Sequence, residues 1–131
     1  MKKSTKKGQI IIPAGRKPWP HELRVAEILA ANGHKVEFIL ESSLKTPDIY
    51  LDSTRYEIKS PITNNPKKII RNIKRALEKC PNVIIDTSRI KSLDDASIQR
   101  CIKNKTKDLH GIKGLLIITK RHQIIDILGH V

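Results

Sequence analysis

Two short apolar runs constrain the fold of this chain more than any other feature. Val83 to Ile85 and Leu115 to Ile118 are unbroken aliphatic stretches with no polar alternation. A strand of that kind is buried on both faces, which is the position of a central strand covered by helices. The chain is therefore expected to be an α/β protein built on a mixed central sheet flanked by helices.

The remaining elements fall around those two strands. A first helix is predicted from Pro20 to Asn32, with Pro20 in its first turn and Gly33 just past its end. Lys35 to Glu41 alternates, with Val36, Phe38 and Leu40 on one side, and reads as a strand. Ile49 to Asp52 and Arg55 to Ser60 are two more, joined by the turn residues Asp52, Ser53 and Thr54 and stopped by Pro61. A second helix starts at Asn65-Pro66 and carries Ile69, Ile70, Ile73, Ala76, Leu77 and Cys80 as a 3.6-residue stripe. A third follows Ser92, whose spacing to Asp95 is that of a capping box. Leu115 to Thr119 and Ile124 to Leu128 close the series. The predicted order is α-β-β-β-α-β-α-β-β, with residues 1–17 as a flexible basic N-terminal arm and 18–131 as one domain.

Charge narrows the partner. The 131 residues hold 26 Lys and Arg against 13 Asp and Glu, a net charge of +13. Such a surface attracts polyanions at long range, nucleic acid first. No apolar stretch approaches the roughly 18 residues of a membrane span, so a membrane is not expected as a partner. The two cysteines, Cys80 and Cys101, fall at apolar helix positions without metal-ligand spacing and read as buried thiols. The five histidines are scattered and single out no pair.

The chemistry lies in the segment Pro47 to Pro61. Alternation puts Arg55, Glu57 and Lys59 on one strand face. Folding the hairpin at Ser53-Thr54 returns the neighbourhood of Asp48 towards Glu57 and Lys59. Two carboxylates can hold Mg²⁺ or Mn²⁺, hard ions that prefer oxygen. The metal would polarise a phosphate and acidify a bound water, and Lys59 would stabilise developing charge or orient the water. A bland alternative exists, since Glu57 and Lys59 could be a solvated surface pair. Glu22 adds a carboxylate on the apolar face of the first helix, where it is either a third ligand or a first-turn acid favoured by the helix dipole. Lys67, Lys68, Arg71, Lys74 and Arg75 make the second helix a candidate phosphate-binding face. Trp19, before Pro20, reads as a hydrophobic staple rather than a base platform.

These residues resemble a known pattern. The pieces, in order, are Pro20-His21-Glu22-Leu23 continuing through Val25 to Ala31, then Gly33 to Val36, Thr46-Pro47-Asp48, and Glu57-Ile58-Lys59-Ser60-Pro61. Ile70 to Ala76, Asn82 to Asp86 and Leu116 to Lys120 complete them, over residues 18 to 128. The arrangement resembles the PD-(D/E)XK, restriction-endonuclease-like nuclease superfamily. More closely it resembles the tRNA nuclease domain of CdiA-type contact-dependent growth-inhibition toxins. The turn departs from the pattern, with Asp52-Ser53-Thr54 in place of an aspartate-glycine turn. The resemblance implies a metal-dependent endoribonuclease with tRNA as substrate, and Glu22, Asp48, Glu57 and Lys59 as its active-site set. It further implies a cognate immunity protein and action in the cytoplasm of a target cell after delivery as a toxin. Two other functions fit the same residues: a DNA endonuclease of restriction or junction-resolving type, and a non-catalytic nucleic-acid-binding module.

Overall fold

The computed structural model describes residues 8–42 and 46–129. Residues 1–7 of the expected basic arm therefore lie outside the described residues. The strands are β1 (Gln9–Ile11), β2 (Lys35–Phe38), β3 (Ile49–Leu51), β4 (Thr54–Lys59), β5 (Asn82–Asp86), β6 (Gly114–Ile118) and β7 (Ile124–Asp126). The helices are α1 (Pro20–Ala31), α2 (Pro66–Leu77) and α3 (Asp95–Lys105), the last followed by a 3-10 turn at Thr106–Asp108. The strands pair in chain order, and the sheet is mixed: β1–β2, β4–β5 and β5–β6 are parallel, and the other neighbours are antiparallel. Each parallel pair is joined through a helix, as parallel strands require.

The chain divides into two compact units that meet within β4, between Tyr56 and Glu57. In the first unit α1 lies against β1 and β2. Its buried side chains include Val25, Ala26 and Leu29 from the helix, with Val36, Phe38, Ile49 and Leu51 from the strands. In the second unit Ile69, Ile73 and Ala76 of α2 and Ile98 and Ile102 of α3 close over Val83, Ile85, Leu115 and Ile117. The two unbroken aliphatic runs are thus paired parallel neighbours, buried throughout except at the half-buried Leu116.

Strand β1 corrects the expected order and the expected arm. Gln9, Ile10 and Ile11 pair with Lys35, Val36 and Glu37, so folded structure begins well before residue 18. The reason is tertiary. The strand is only three residues long and has no alternation of its own. Gly8 locks it in place: its N–H donates to Ala30 O at 2.6 Å, and a Cβ there would collide with the His34 carbonyl.

Three local expectations are also corrected. β2 ends at Phe38, and Leu40 is exposed because Arg16 Nε binds the Ile39 carbonyl instead of a strand continuing. The N-cap of α3 is Asp94, whose carboxylate accepts from Ser97 N at 2.8 Å, and not Ser92. Cys101 is only partly buried, with its thiol pushed up by desolvation, whereas Cys80 is buried. The β3–β4 turn forms without glycine: Asp52 and Ser53 both take positive φ, +48° and +75°. That is the two-residue hairpin geometry matching strand twist, and Asp tolerates it.

Candidate active site

The first unit assembles an arginine between two carboxylates. Glu22 sits in the first turn of α1 on its inner face and is buried. Its Oε1 accepts the Trp19 N–H at 2.8 Å, satisfying a helix-start donor, and its Oε2 faces Arg16 Nη2 at 3.4 Å. The same Arg16 nitrogen lies 3.9 Å from Asp48 Oδ1. Arg16 is itself buried, donates from Nε to Ile39 O at 2.9 Å, and stacks over Phe38 at 5.3 Å. Asp48 is fixed by its backbone: Ile39 N donates to Asp48 O at 3.0 Å, and Asp48 N donates to Tyr56 O at 3.2 Å. Glu22 is thus a first-turn acid that is also buried and charge-paired.

The second unit assembles two ammonium groups around one carboxylate. Glu57 is 2% exposed. Lys59 Nζ is 3.6 Å and Lys79 Nζ 3.4 Å from its Oε2. Among the described residues, Glu57 Oε1 is buried with no hydrogen-bond partner. A buried carboxylate oxygen left unpaired is costly. This burial rules out the solvated surface pair for Glu57. The adjacent strand end is pinned by Asp86, also buried, which accepts from Ser60 Oγ at 2.8 Å and from Ser88 N and Oγ at 3.0 Å.

The sequence singled out Glu22, Asp48, Glu57 and Lys59 as candidates, and did not single out Arg16 and Lys79, which the structure sets against them. Arg16 falls in the segment expected to be an arm, and its only signal is a place between Gly15 and a proline-rich stretch. Lys79 lies just beyond α2, on no face shared with Glu57 in sequence, so only the fold brings it there. The basic face of α2 is as expected: Lys67, Lys68, Arg71, Lys74 and Arg75 are all exposed. Trp19 is not a staple, for its ring is largely exposed.

Among the described residues no three His, Cys, Asp or Glu side chains form a metal-holding group. Glu22, with both oxygens engaged, has little capacity for a metal. The unpaired Oε1 of Glu57 is a hard oxygen donor and fits Mg²⁺ or Mn²⁺. Mg²⁺ is commonly held by one or two carboxylates, with water and substrate phosphate oxygens completing the shell.

A family model for the contact-dependent growth inhibition CdiA C-terminal domain matches residues 45–124, more than half of the chain. The match takes in Asp48, Glu57, Lys59, Lys79 and all of α2. No curated protein matches the chain. Among solved structures, a chain of the CdiA-CT/CdiI toxin and immunity complex from Burkholderia pseudomallei is similar over 91% of this chain and 98% of its own length, with a TM-score of 0.69 and 18% identity. A likeness at that identity establishes a shared fold.

Proposed function

The chain belongs to the contact-dependent growth inhibition CdiA C-terminal domain family, and we propose on that premise that it is a toxin-like, metal-dependent endoribonuclease that cleaves tRNA. The observation that carries this reading is the buried carboxylate of Glu57, with one oxygen unpaired among the described residues and two lysines on the other. A carboxylate held in that state has no evident structural use, whereas phosphodiester cleavage uses both the unpaired donor and the flanking cations.

In this reading the core is of PD-(D/E)XK type and Mg²⁺ or Mn²⁺ is its cofactor, for which the carboxylates of Asp48 and Glu57 would be the ligands. When bound, the ion supplies a polarised phosphate and an acidified water. The chain's own residues do the rest. Lys59 faces the developing charge on the phosphate or orients the attacking water. Lys79 shares the charge of Glu57. Glu22 assists through Arg16, which it holds beside Asp48. The exposed Lys67, Lys68, Arg71, Lys74 and Arg75 of α2 take the RNA backbone, a sequence-independent contact that sets register. The partner expected besides RNA is a cognate immunity protein, as in the toxin and immunity complex whose fold the chain shares. The site of action is the cytoplasm of a target cell, reached by delivery.

The test is incubation of the purified protein with total tRNA in Mg²⁺, Mn²⁺ or EDTA, beside Lys59→Ala. Cleavage that needs both metal and Lys59 supports the reading. Cutting of duplex or branched DNA with tRNA left intact moves the protein to the DNA endonucleases. Binding without cleavage of either leaves a nucleic-acid-binding module and overturns the reading.

A further inference from the structure

Trp19 is the only tryptophan in the chain, and it is 66% exposed. Leaving so large an apolar ring in water is unfavourable, and the start of α1 does not explain it. The cap at this position uses only the backbone N–H of Trp19, bound by Glu22 Oε1. Any residue with a backbone N–H at position 19 could make this bond.

The ring lines an open depression of about 300 Å³, together with Gly15, Arg16, Lys17, Leu40 and Glu41. That volume is at the lower end of the roughly 300–1,000 Å³ typical of small-ligand sites. Leu40 contributes a second exposed apolar surface, 52% accessible. Positive φ at Gly15, +86°, turns the chain so that Arg16 is buried while the next residue, Lys17, is exposed. The depression therefore offers a flat aromatic face, an aliphatic wall, an ammonium group and a carboxylate acceptor. Its Arg16 wall is the same guanidinium that pairs with Asp48 at 3.9 Å.

We propose that this depression takes one unpaired nucleobase of the RNA substrate, stacked on Trp19, with Lys17 on the adjoining phosphate and Glu41 accepting from base N–H groups. Single-stranded RNA is recognised by this combination: bases splayed from the helix, stacked on aromatic rings and hydrogen-bonded at their edges. The net charge of +13 favours a polyanion over an apolar peptide as the occupant. The inference rests on the RNA-cleaving reading and adds a consequence to it. Unpaired nucleotides would be held beside Asp48, so loops and single strands are preferred to a continuous duplex.

The lone tryptophan makes the test direct. Its fluorescence is titrated in EDTA, where no metal-dependent cleavage proceeds, with a single-stranded oligoribonucleotide of about 10 nucleotides. The same titration is run with a duplex of matching sequence and with inorganic polyphosphate, while fluorescence polarisation follows binding. The expected result is saturable quenching by the single strand alone. Trp19→Leu then weakens single-strand binding by roughly five- to a hundredfold, as loss of one base–aromatic stack does, and Trp19→Phe restores part of it. Thermal melts of both variants control for folding, which the exposed ring should not affect. A single strand that binds without quenching Trp19, or equal quenching by duplex and polyphosphate, overturns the inference. If tRNA is not cut but the single strand quenches, the base site stands and the nuclease reading falls. If tRNA is cut and Trp19→Leu binds and cuts as the parent does, the base site falls and the nuclease reading stands.

Discussion

Lys79 Nζ lies 3.4 Å from Glu57 Oε2, closer than Lys59 at 3.6 Å, although Lys59 is two residues away on the same strand and Lys79 arrives from beyond α2. Two partly exposed cations therefore converge on one oxygen of a buried carboxylate whose other oxygen is unpaired among the described residues. The arrangement places the binding capacity of the site in tension with its stability.

That tension gives the first prediction. Glu57→Gln removes a buried charge and leaves Lys59 and Lys79 free to resolvate. It should abolish metal-dependent cleavage while changing stability by no more than about 1 kcal/mol, with a rise in Tm the expected direction. The double variant Lys59→Ala/Lys79→Ala does the opposite and strands the carboxylate. It should cost about 2 kcal/mol, less than a fully buried pair because both lysines are partly solvated. Urea denaturation of the three proteins decides the matter, and a strongly destabilised Glu57→Gln would contradict it.

Arg16 should be indispensable to the first unit. It is buried, pairs with Glu22 and Asp48, and donates to Ile39 O. Arg16→Ala removes the guanidinium that faces both acids and should cost about 3 kcal/mol. Arg16→Lys should recover little, because an ammonium cannot reproduce the planar fork or the stack over Phe38. Equilibrium unfolding with intact and substituted chains measures both, and full rescue by lysine is the contrary outcome.

The hairpin turn carries a pH-dependent contact. Asp52 Oδ2 meets His34 Nδ1 at 2.6 Å, and Oδ1 accepts from Lys35 N at 2.8 Å. Partial burial would raise the Asp52 pKa. The bond from His34, the Lys35 N–H and the charge on His34 outweigh it, and the pKa falls below its ordinary 3.8. A carboxylate with a depressed folded-state pKa stabilises the fold above the unfolded value and loses that contribution as pH falls through the folded one. Asp52→Asn should thus lower stability near neutrality by less than about 1 kcal/mol, the pair being half exposed. The gap to the parent should shrink once pH drops below 3.8. Melting temperatures of both proteins across acid pH test this, and a gap that widens in acid would refute it.

The α2 face predicts a salt effect. If Arg71 and Lys74 each neutralise one phosphate, replacing both by alanine should weaken RNA binding at low salt. It should also reduce the slope of log K against log salt by about 0.7 for each phosphate of a single strand that is no longer neutralised. Binding isotherms at several salt concentrations give the slope, and an unchanged slope would remove these residues from the interface.

The local code determined much of this protein. Binary patterns fixed α1, β5 and β6 almost to the residue, and the start of α2 but not its end, because a helix or a central strand buries a stripe that its own sequence must supply. The pairing of Glu57 with Lys59 was legible for the same reason, since two residues apart on a strand means a shared face. Tertiary structure alone decided β1, which is held by parallel pairing to Lys35–Glu37 and by the fit of Gly8 under His34. It also decided that Arg16 is buried between Glu22 and Asp48, that Lys79 reaches Glu57, and that Trp19 is left in water. None of these has a period or a spacing, because each depends on where a distant part of the chain arrives. Burial and charge pairing are properties of that arrival, and a sequence encodes them only through the whole fold.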